Sequence, residues 1–138
     1  MSIVQTQTTS FKKELYEAVH NLSTDTIYIA LYTGDANLNA DTTAYSATNE
    51  VVASGYTAGG EALTGVAISS SGYTAYVNWA NVSWTAAITA RCALIYNVTQ
   101  SNKSIAVIDF GADKTSTTTF TITMPANTST TALIRSSN

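Results

Sequence analysis

The sequence predicts a mainly β protein: an antiparallel β-sandwich or jelly-roll-like domain with one N-terminal helix. Of the 138 residues, 24 are threonine and 15 are serine, whereas charged residues make up only 11%. Threonine is β-branched and favours a pleated, half-exposed surface. Short apolar runs also alternate with polar residues and are separated by turn sequences such as "SSSGY" and "NVTQSNK". Short strands separated in this way are typical of antiparallel sandwiches.

The first 22 residues divide into a polar arm and a helix. Residues 1–9 are polar and Thr-rich, so we expect an arm that is disordered alone and can become ordered against a neighbour. The apolar positions that follow have the spacing of one helical face. These positions are Phe11, Leu15, Ala18, Val19 and Leu22. The pattern predicts a helix over residues 10–22 with Ser10 as its N-cap, at the start of a single domain over residues 10–138.

About eight strands are expected after the helix. In "TIYIALYT" (26–33), Ile27, Ile29 and Leu31 are expected on one face of the sheet. The run "AITARCALIYN" is expected to direct Ile88, Ala90, Cys92, Leu94 and Tyr96 to one face. The run "KSIAVIDFG" is apolar on both faces, as a central strand would be. The other runs are "YTAYVNW", "TTTFTITMP" and "TALIR", with shorter ones near "LTGVAIS" and "NVSW".

Residues 34–62 interrupt the strand pattern. A loop this long is uncommon in a compact domain and is usually functional, so we expect it to lie on the surface and to contact a partner. Aromatic residues anchor protein interfaces, and the candidate interface residues are Tyr45, Asn49, Tyr56 and Tyr73. The alternative for these aromatics is that many of them fill the core.

One stretch of this loop could hold an ion. Asp35, Asn37, Asn39 and Asp41 alternate as the oxygen ligands of an EF-hand calcium loop do. However, Ala40 occupies the position that needs glycine, and Ser46 the position that needs a bidentate glutamate. The stretch is therefore a weak metal candidate beside the alternative of a polar surface turn, and we predict no cofactor.

The remaining motifs do not indicate an enzyme. Asp109 belongs to an Asp-Phe-Gly sequence, but a kinase-type aspartate works only beside a Gly-rich phosphate loop, a strand lysine and a His-Arg-Asp loop. The sequence has no glycine triplet of that spacing, and its only histidine is on the predicted helix. The only histidine, His20, could form a nucleophilic triad with Asp25 and a hydroxyl, yet Ser and Thr are so abundant that such a match carries little weight. Cys92 lies in an alternating apolar run and is expected to be a small buried residue.

Charge and hydropathy limit the partners. The net charge is −3 and the largest basic cluster is Lys12-Lys13, so we expect no nucleic-acid binding. No apolar run has the length of a membrane span, and no secretory signal precedes the helix, so synthesis in the cytoplasm and no membrane partner are expected.

Several segments together resemble a family of small structural proteins encoded by tailed bacteriophages. The likeness extends from about Phe11 to Arg135 and is strongest in "TAYSATNEV", "GYTAGG", "ARCALIYN" and "AVIDFG". Members of this family are mostly described as structural or uncharacterised, so the resemblance implies a context and no catalytic residues. Cys92 stands where members tend to have glycine.

The resemblance implies a non-enzymatic structural protein of the virion, made in the cytoplasm of the host bacterium. We expect a capsid decoration or cement protein that binds the shell and stabilises it. Its partners would be the major capsid protein or other virion proteins, together with further copies of itself in a homo-oligomer. The alternatives are a neck or tail component and a module that binds glycans on the host surface.

Overall fold

The fold is mainly β with one helix, as the sequence predicts. The computed structural model describes residues 2–137; Met1 and Asn138, the outer ends of the predicted arm and domain, lie outside the described residues. In chain order the elements are β1 (Ser2–Ile3), β2 (Thr6–Gln7), α1 (Thr9–Tyr16), β3 (Ile27–Tyr32), β4 (Asn37–Leu38), β5 (Glu61–Ala62), β6 (Ala67–Ser71), β7 (Thr74–Asn78), β8 (Val82–Trp84), β9 (Thr89–Asn97), β10 (Lys103–Thr115), β11 (Phe120–Ile122) and β12 (Ile134–Ser136).

Four sheets hold these strands. The main sheet has five strands in the order β2-β10-β9-β3-β5, all antiparallel to their neighbours. A second sheet has the order β12-β7-β6, and β8 pairs with β11. The short pair of β1 and β4 is parallel. Strand β10 lies inside the main sheet, which explains why its sequence is apolar on both faces.

One face of the main sheet packs against the smaller sheets. Ile27, Ile29 and Leu31 of β3 belong to this core, which confirms the predicted face. Opposite them lie buried side chains of the smaller sheets, among them Val77, Trp84, Phe120, Ile122 and Ile134. These two layers of strands with an apolar interior form a sandwich-like arrangement.

The other face of the main sheet is also buried. Ala30 and Tyr32 of β3, with Cys92, Leu94 and Tyr96 of β9, lie beneath residues of the 34–62 segment. The covering side chains include Ala36, Leu38 and the partly buried Tyr45. The long segment is therefore a third layer of the molecule, and it contributes β4 and β5 to the sheets.

The face prediction for β9 is wrong at one end. Ile88 and Ala90 join the first core, whereas Cys92, Leu94 and Tyr96 face the second. Pairing with β10 changes here, because Cys92 is opposite Asp109 but Ala90 is opposite Lys114. The extra residues of β10 form a bulge around Gly111, whose φ is +82°. A bulge bends the strands and increases their local twist, and β9 passes from one core to the other at this point.

The helix is shorter than predicted. It spans Thr9–Tyr16, and its N-cap is Thr8, whose hydroxyl accepts a hydrogen bond from the Phe11 backbone N–H. It ends because Ala18 adopts φ +59° and the Val19 N–H donates to the Glu14 carbonyl at 3.0 Å, a Schellman ending. Phe11 is its one buried residue. No helix among the described residues is long and apolar enough to cross a membrane.

The predicted arm is ordered within its own chain. Residues 2–3 pair with β4, and residues 6–7 pair with β10. The Gln5 side chain also accepts a hydrogen bond from the Asp109 backbone N–H. Because these bonds satisfy the backbone of the arm, it needs no neighbouring molecule to become ordered.

Candidate functional site

A buried carboxylate holds the 34–62 segment on the main sheet. Glu50 is 6% exposed. It accepts hydrogen bonds from the Tyr45 hydroxyl at 2.6 Å, the Tyr56 hydroxyl at 2.5 Å and the Gly59 backbone N–H at 2.8 Å. Hydrogen bonds to an ionised acceptor are short and strong. Glu50 therefore links Tyr45, Tyr56 and Gly59, which lie at three separate positions along the segment.

Further tyrosines extend this cluster into the sheet. The Tyr96 hydroxyl donates to the Gly59 carbonyl at 2.5 Å, and the Tyr96 ring stacks on Tyr45 with centroids 4.8 Å apart. The Tyr32 hydroxyl donates to the Ser46 carbonyl at 2.8 Å. We call Glu50 with Tyr32, Tyr45, Tyr56 and Tyr96 the tyrosine cluster. It connects β3 and β9 to the segment that covers them.

Burial fixes the protonation state of these phenols. Burial, followed by the hydrogen bond to Glu50, raises the pKa of Tyr45 and of Tyr56 far above that of free tyrosine. Burial and the nearby Glu50 charge raise the pKa of Tyr96 to about 12. The hydroxyls thus remain hydrogen-bond donors at neutral pH. The cluster can fasten the segment, and its chemistry is that of a structural site.

The candidate interface residues do not form one surface. Tyr56 is buried, and its hydroxyl is bound in the tyrosine cluster. Tyr45 is half-buried in the same cluster, and Asn49 is exposed with its Nδ2 donating to the Asp35 carbonyl. Tyr73 is 91% exposed in the turn between β6 and β7. Of the four, Tyr73 presents the most ring surface to a partner.

The weak calcium candidate has the hydrogen bonds of a polar turn. The Asn39 Nδ2 donates to the Asn37 side-chain oxygen at 3.3 Å, and the Asn39 side-chain oxygen accepts from the Asp41 N–H at 2.9 Å. Asp35 is exposed, and its backbone N–H donates to the Thr33 hydroxyl. Within residues 2–137, no three His, Cys, Asp or Glu side chains come together as a metal site would require.

The histidine is part of a buried hydrogen-bond network. The His20 Nε2 lies 2.9 Å from a Glu14 carboxylate oxygen, and the Nδ1 lies 3.0 Å from the Asn97 Nδ2. Asn97 also donates to Asp25 at 2.8 Å. His20 therefore meets a carboxylate and an amide, and neither of its ring nitrogens is hydrogen-bonded to a hydroxyl.

The Asp-Phe-Gly sequence has a structural use. The Asp109 carboxylate lies 3.1 Å from the Arg91 guanidinium and accepts a hydrogen bond from the Gly111 N–H at 2.8 Å. Strand β10 does not end at this sequence but continues past the bulge to Thr115. Cys92 is buried as predicted, and burial raises the pKa of its thiol to about 11.

The sequence did not indicate one exposed feature. All five residues of β6 are exposed, and this strand forms an outer edge of its sheet among the described residues. Ile68 on this strand is 56% exposed, and Tyr16 at the end of the helix is 95% exposed. The alternation in "LTGVAIS" indicated a strand, but nothing in it distinguished an edge from an interior position.

Comparisons of this chain with protein-family models, with curated proteins and with solved structures found no match.

Proposed function

We propose that this chain is a non-enzymatic structural protein of a tailed-bacteriophage particle, located on the capsid as a decoration or cement protein. The phage context comes from the resemblance in sequence. The molecular role comes from the exposed hairpin of β6 and β7, which is the observation that carries the proposal. A partner of this hairpin would be the major capsid protein, another virion protein or a further copy of this chain.

The hairpin has the properties of an assembly contact. Its two strands pair from Ala67–Asn78 to Ser71–Thr74, and Gly72 with φ +59° closes the two-residue turn. Tyr73 stands beside Gly72 at the tip and is almost fully exposed. A tyrosine contributes a large contact area at a low cost in side-chain entropy. The outer edge of β6 offers unpaired backbone groups to another strand.

The fastened 34–62 segment supports the same role. A cement protein acts by shape, so it must present its contacts on a rigid body. The tyrosine cluster holds the segment on the sheet without a partner. We therefore place the main contact on the hairpin, whereas the sequence alone suggested the segment and the N-terminal arm.

Two other roles use the same surface. A neck or tail component would assemble into a ring through the hairpin. A glycan-binding module is favoured by the exposed Tyr73 ring, on which a sugar could stack.

The first experiment measures the copy number of the protein relative to the major capsid protein in purified particles by quantitative mass spectrometry. A ratio near one to one, or one trimer per local threefold axis, is expected for a decoration protein. A few copies per particle would assign the neck or tail instead, and absence from the particle would refute the proposal.

A second experiment tests the hairpin. We expect Tyr73→Ser to weaken binding to shells that lack this protein by at least about 10-fold, a typical loss for an interface tyrosine. Val52→Ser is the matched control, because Val52 is 97% exposed but lies in the 34–62 segment. Equal binding by both variants would remove the hairpin from the contact. Binding of Tyr73-dependent glycans without shell binding would favour the glycan module.

A further inference from the structure

A groove lies between the helix and the second sheet. It has a volume of about 730 Å³, which is within the range of ligand sites. The floor includes Phe11 from α1 and the paired residues Val77 and Ile134 from β7 and β12. All three belong to the first core. These three floor residues are at most 5% exposed, so the groove runs along the edge of that core and its accessible apolar surface comes from the walls.

The walls of the groove expose large apolar side chains. Ile68 is opposite Val77 in the same cross-strand row as Ile134, so the buried row Ile134–Val77 continues into a 56% exposed isoleucine. On the facing helix, Leu15 is 40% exposed and Tyr16 is 95% exposed. These three residues line one groove. Clustered apolar exposure of this kind marks a binding surface more often than scattered exposure does.

The charges at the groove have one sign. Lys12 and Arg135 both line it, and none of the nine acidic residues does. Neither cation forms an ion pair among the residues that the structure describes. The Arg135 guanidinium donates to the Thr130 carbonyl, which is neutral, and the Glu14 carboxylate lies 2.9 Å from the His20 Nε2. The chain as a whole has a net charge of −3, so the charge of the groove lining is opposite in sign to the net charge of the molecule.

We propose that this groove binds an acidic, amphipathic segment of another protein. Its apolar side chains would cover Leu15, Tyr16 and Ile68, and its carboxylates would meet Lys12 and Arg135. Complementary charge would orient the segment and favour acidic partners over neutral ones. The inference rests on the proposed structural function, in which such a segment would belong to a neighbouring protein of the particle.

The test uses two fluorescein-labelled peptides of about 12 residues with the same leucine and phenylalanine pattern, a usual length for groove-bound segments. One peptide carries glutamate at the polar positions and the other carries glutamine. Fluorescence anisotropy with the full-length protein is expected to show at least roughly 10-fold tighter binding of the glutamate peptide, with a strong dependence on salt. Absence of binding, or equal affinity for both peptides, would overturn the proposal.

Matched variants locate the binding site. Lys12→Gln is expected to reduce the preference for the glutamate peptide, whereas Lys13→Gln is not, because Lys13 is paired with Glu17 and does not line the groove. Ile68→Ser is expected to weaken the binding of both peptides, and Val52→Ser is its control. If each variant binds the peptides as its control does, the peptides bind elsewhere on the protein, and the proposal that they bind in the groove is refuted.

Sedimentation velocity separates this partner from a second copy. Concentration-dependent dimers that Ile68→Ser abolishes would show that the groove is filled by the chain itself, which would overturn the proposal. The copy number in particles is measured independently, so the proposed function can hold while the groove inference fails.

Discussion

Removing the Glu50 carboxylate should lower the free energy of unfolding, and the size of the loss can be estimated from the hydrogen bonds that the carboxylate accepts. Glu50→Ala deletes three of them, two from tyrosine hydroxyls and one from the Gly59 N–H. A hydrogen bond to a charged group contributes about 1.5–3 kcal/mol, and a buried donor left without an acceptor costs about 1–3 kcal/mol. Tyr45 is only half-buried, and Tyr56 keeps a bond from the Leu31 N–H at 2.9 Å. We therefore expect a loss of about 3–5 kcal/mol.

Glu50→Gln isolates the effect of charge from that of volume. The amide keeps one acceptor oxygen, but its NH₂ group turns a donor toward the other donors. We expect a loss of about 1–3 kcal/mol in the free energy of unfolding, between the wild type and Glu50→Ala.

Equilibrium unfolding in urea measures these losses, with the m-value as a check that unfolding still exposes the same surface. Glu61→Gln is the control, because Glu61 is exposed and is expected to change stability by less than about 0.5 kcal/mol. A Glu50→Ala protein within about 0.5 kcal/mol of the wild type would refute the view that Glu50 fastens the segment.

Three further predictions concern a glycine, the phenols and the polar turn. Gly60→Ala should destabilise the protein by more than about 3 kcal/mol, because a Cβ at this position would lie 1.8 Å from the Ile29 carbonyl oxygen. Gly72 has open space around it, so Gly72→Ala should cost only about 1–2 kcal/mol. Equal decreases in Tm for the two variants would contradict this prediction. Since burial raises the pKa of four tyrosines in the tyrosine cluster, stability is full below about pH 10 and should fall as pH rises through 12. Tyrosinate absorbance from these four should appear together with unfolding; its appearance in the folded state would argue against their burial. Calorimetric titration of the intact protein with Ca²⁺ should be flat, because the Asn37 and Asn39 side-chain oxygens already accept hydrogen bonds within the 35–41 turn. A saturable heat would support the ion site.

The sequence predicted the strands best where alternation and burial agree. Ile27, Ile29 and Leu31 share a face because nothing interrupts the twofold period of β3. The period fails in β9 near Arg91, where a bulge in its partner β10 shifts the pairing of the two strands. Such a bulge depends on two strands at once, and the local sequence of β9 contains no signal for it.

The helix end was missed for a similar reason. Apolar spacing continues to Leu22, but the chain leaves the helix at Ala18 with a positive φ that alanine rarely adopts. The tertiary contacts of His20 with Asn97 and Phe11 accompany this turn. The apolar spacing therefore predicted a helix over residues 10–22, but the residues after Tyr16 pack in a non-helical conformation.

The tyrosine cluster was only partly visible in the sequence. The length of the 34–62 segment and its tyrosines indicated a functional region, whereas the positive φ of Gly60, +86°, became apparent only in the structure. The inward direction of Tyr56 and the burial of Glu50 depend on how the segment crosses the main sheet. The aromatic character of these residues favoured an interface in the sequence analysis. In the structure, the way the segment crosses the sheet brings them into contact with one another inside the molecule.

The third layer limits how far this protein can be shortened. Changes in the length of an ordinary surface loop cost little stability, because the entropy of loop closure grows slowly with length. Here the 34–62 segment covers Tyr32, Leu94 and Tyr96, so its removal would leave a broad apolar face of the main sheet in water. A trimmed sandwich would therefore aggregate through that face. The smallest version that can be expressed as a soluble unit must retain the segment together with Glu50.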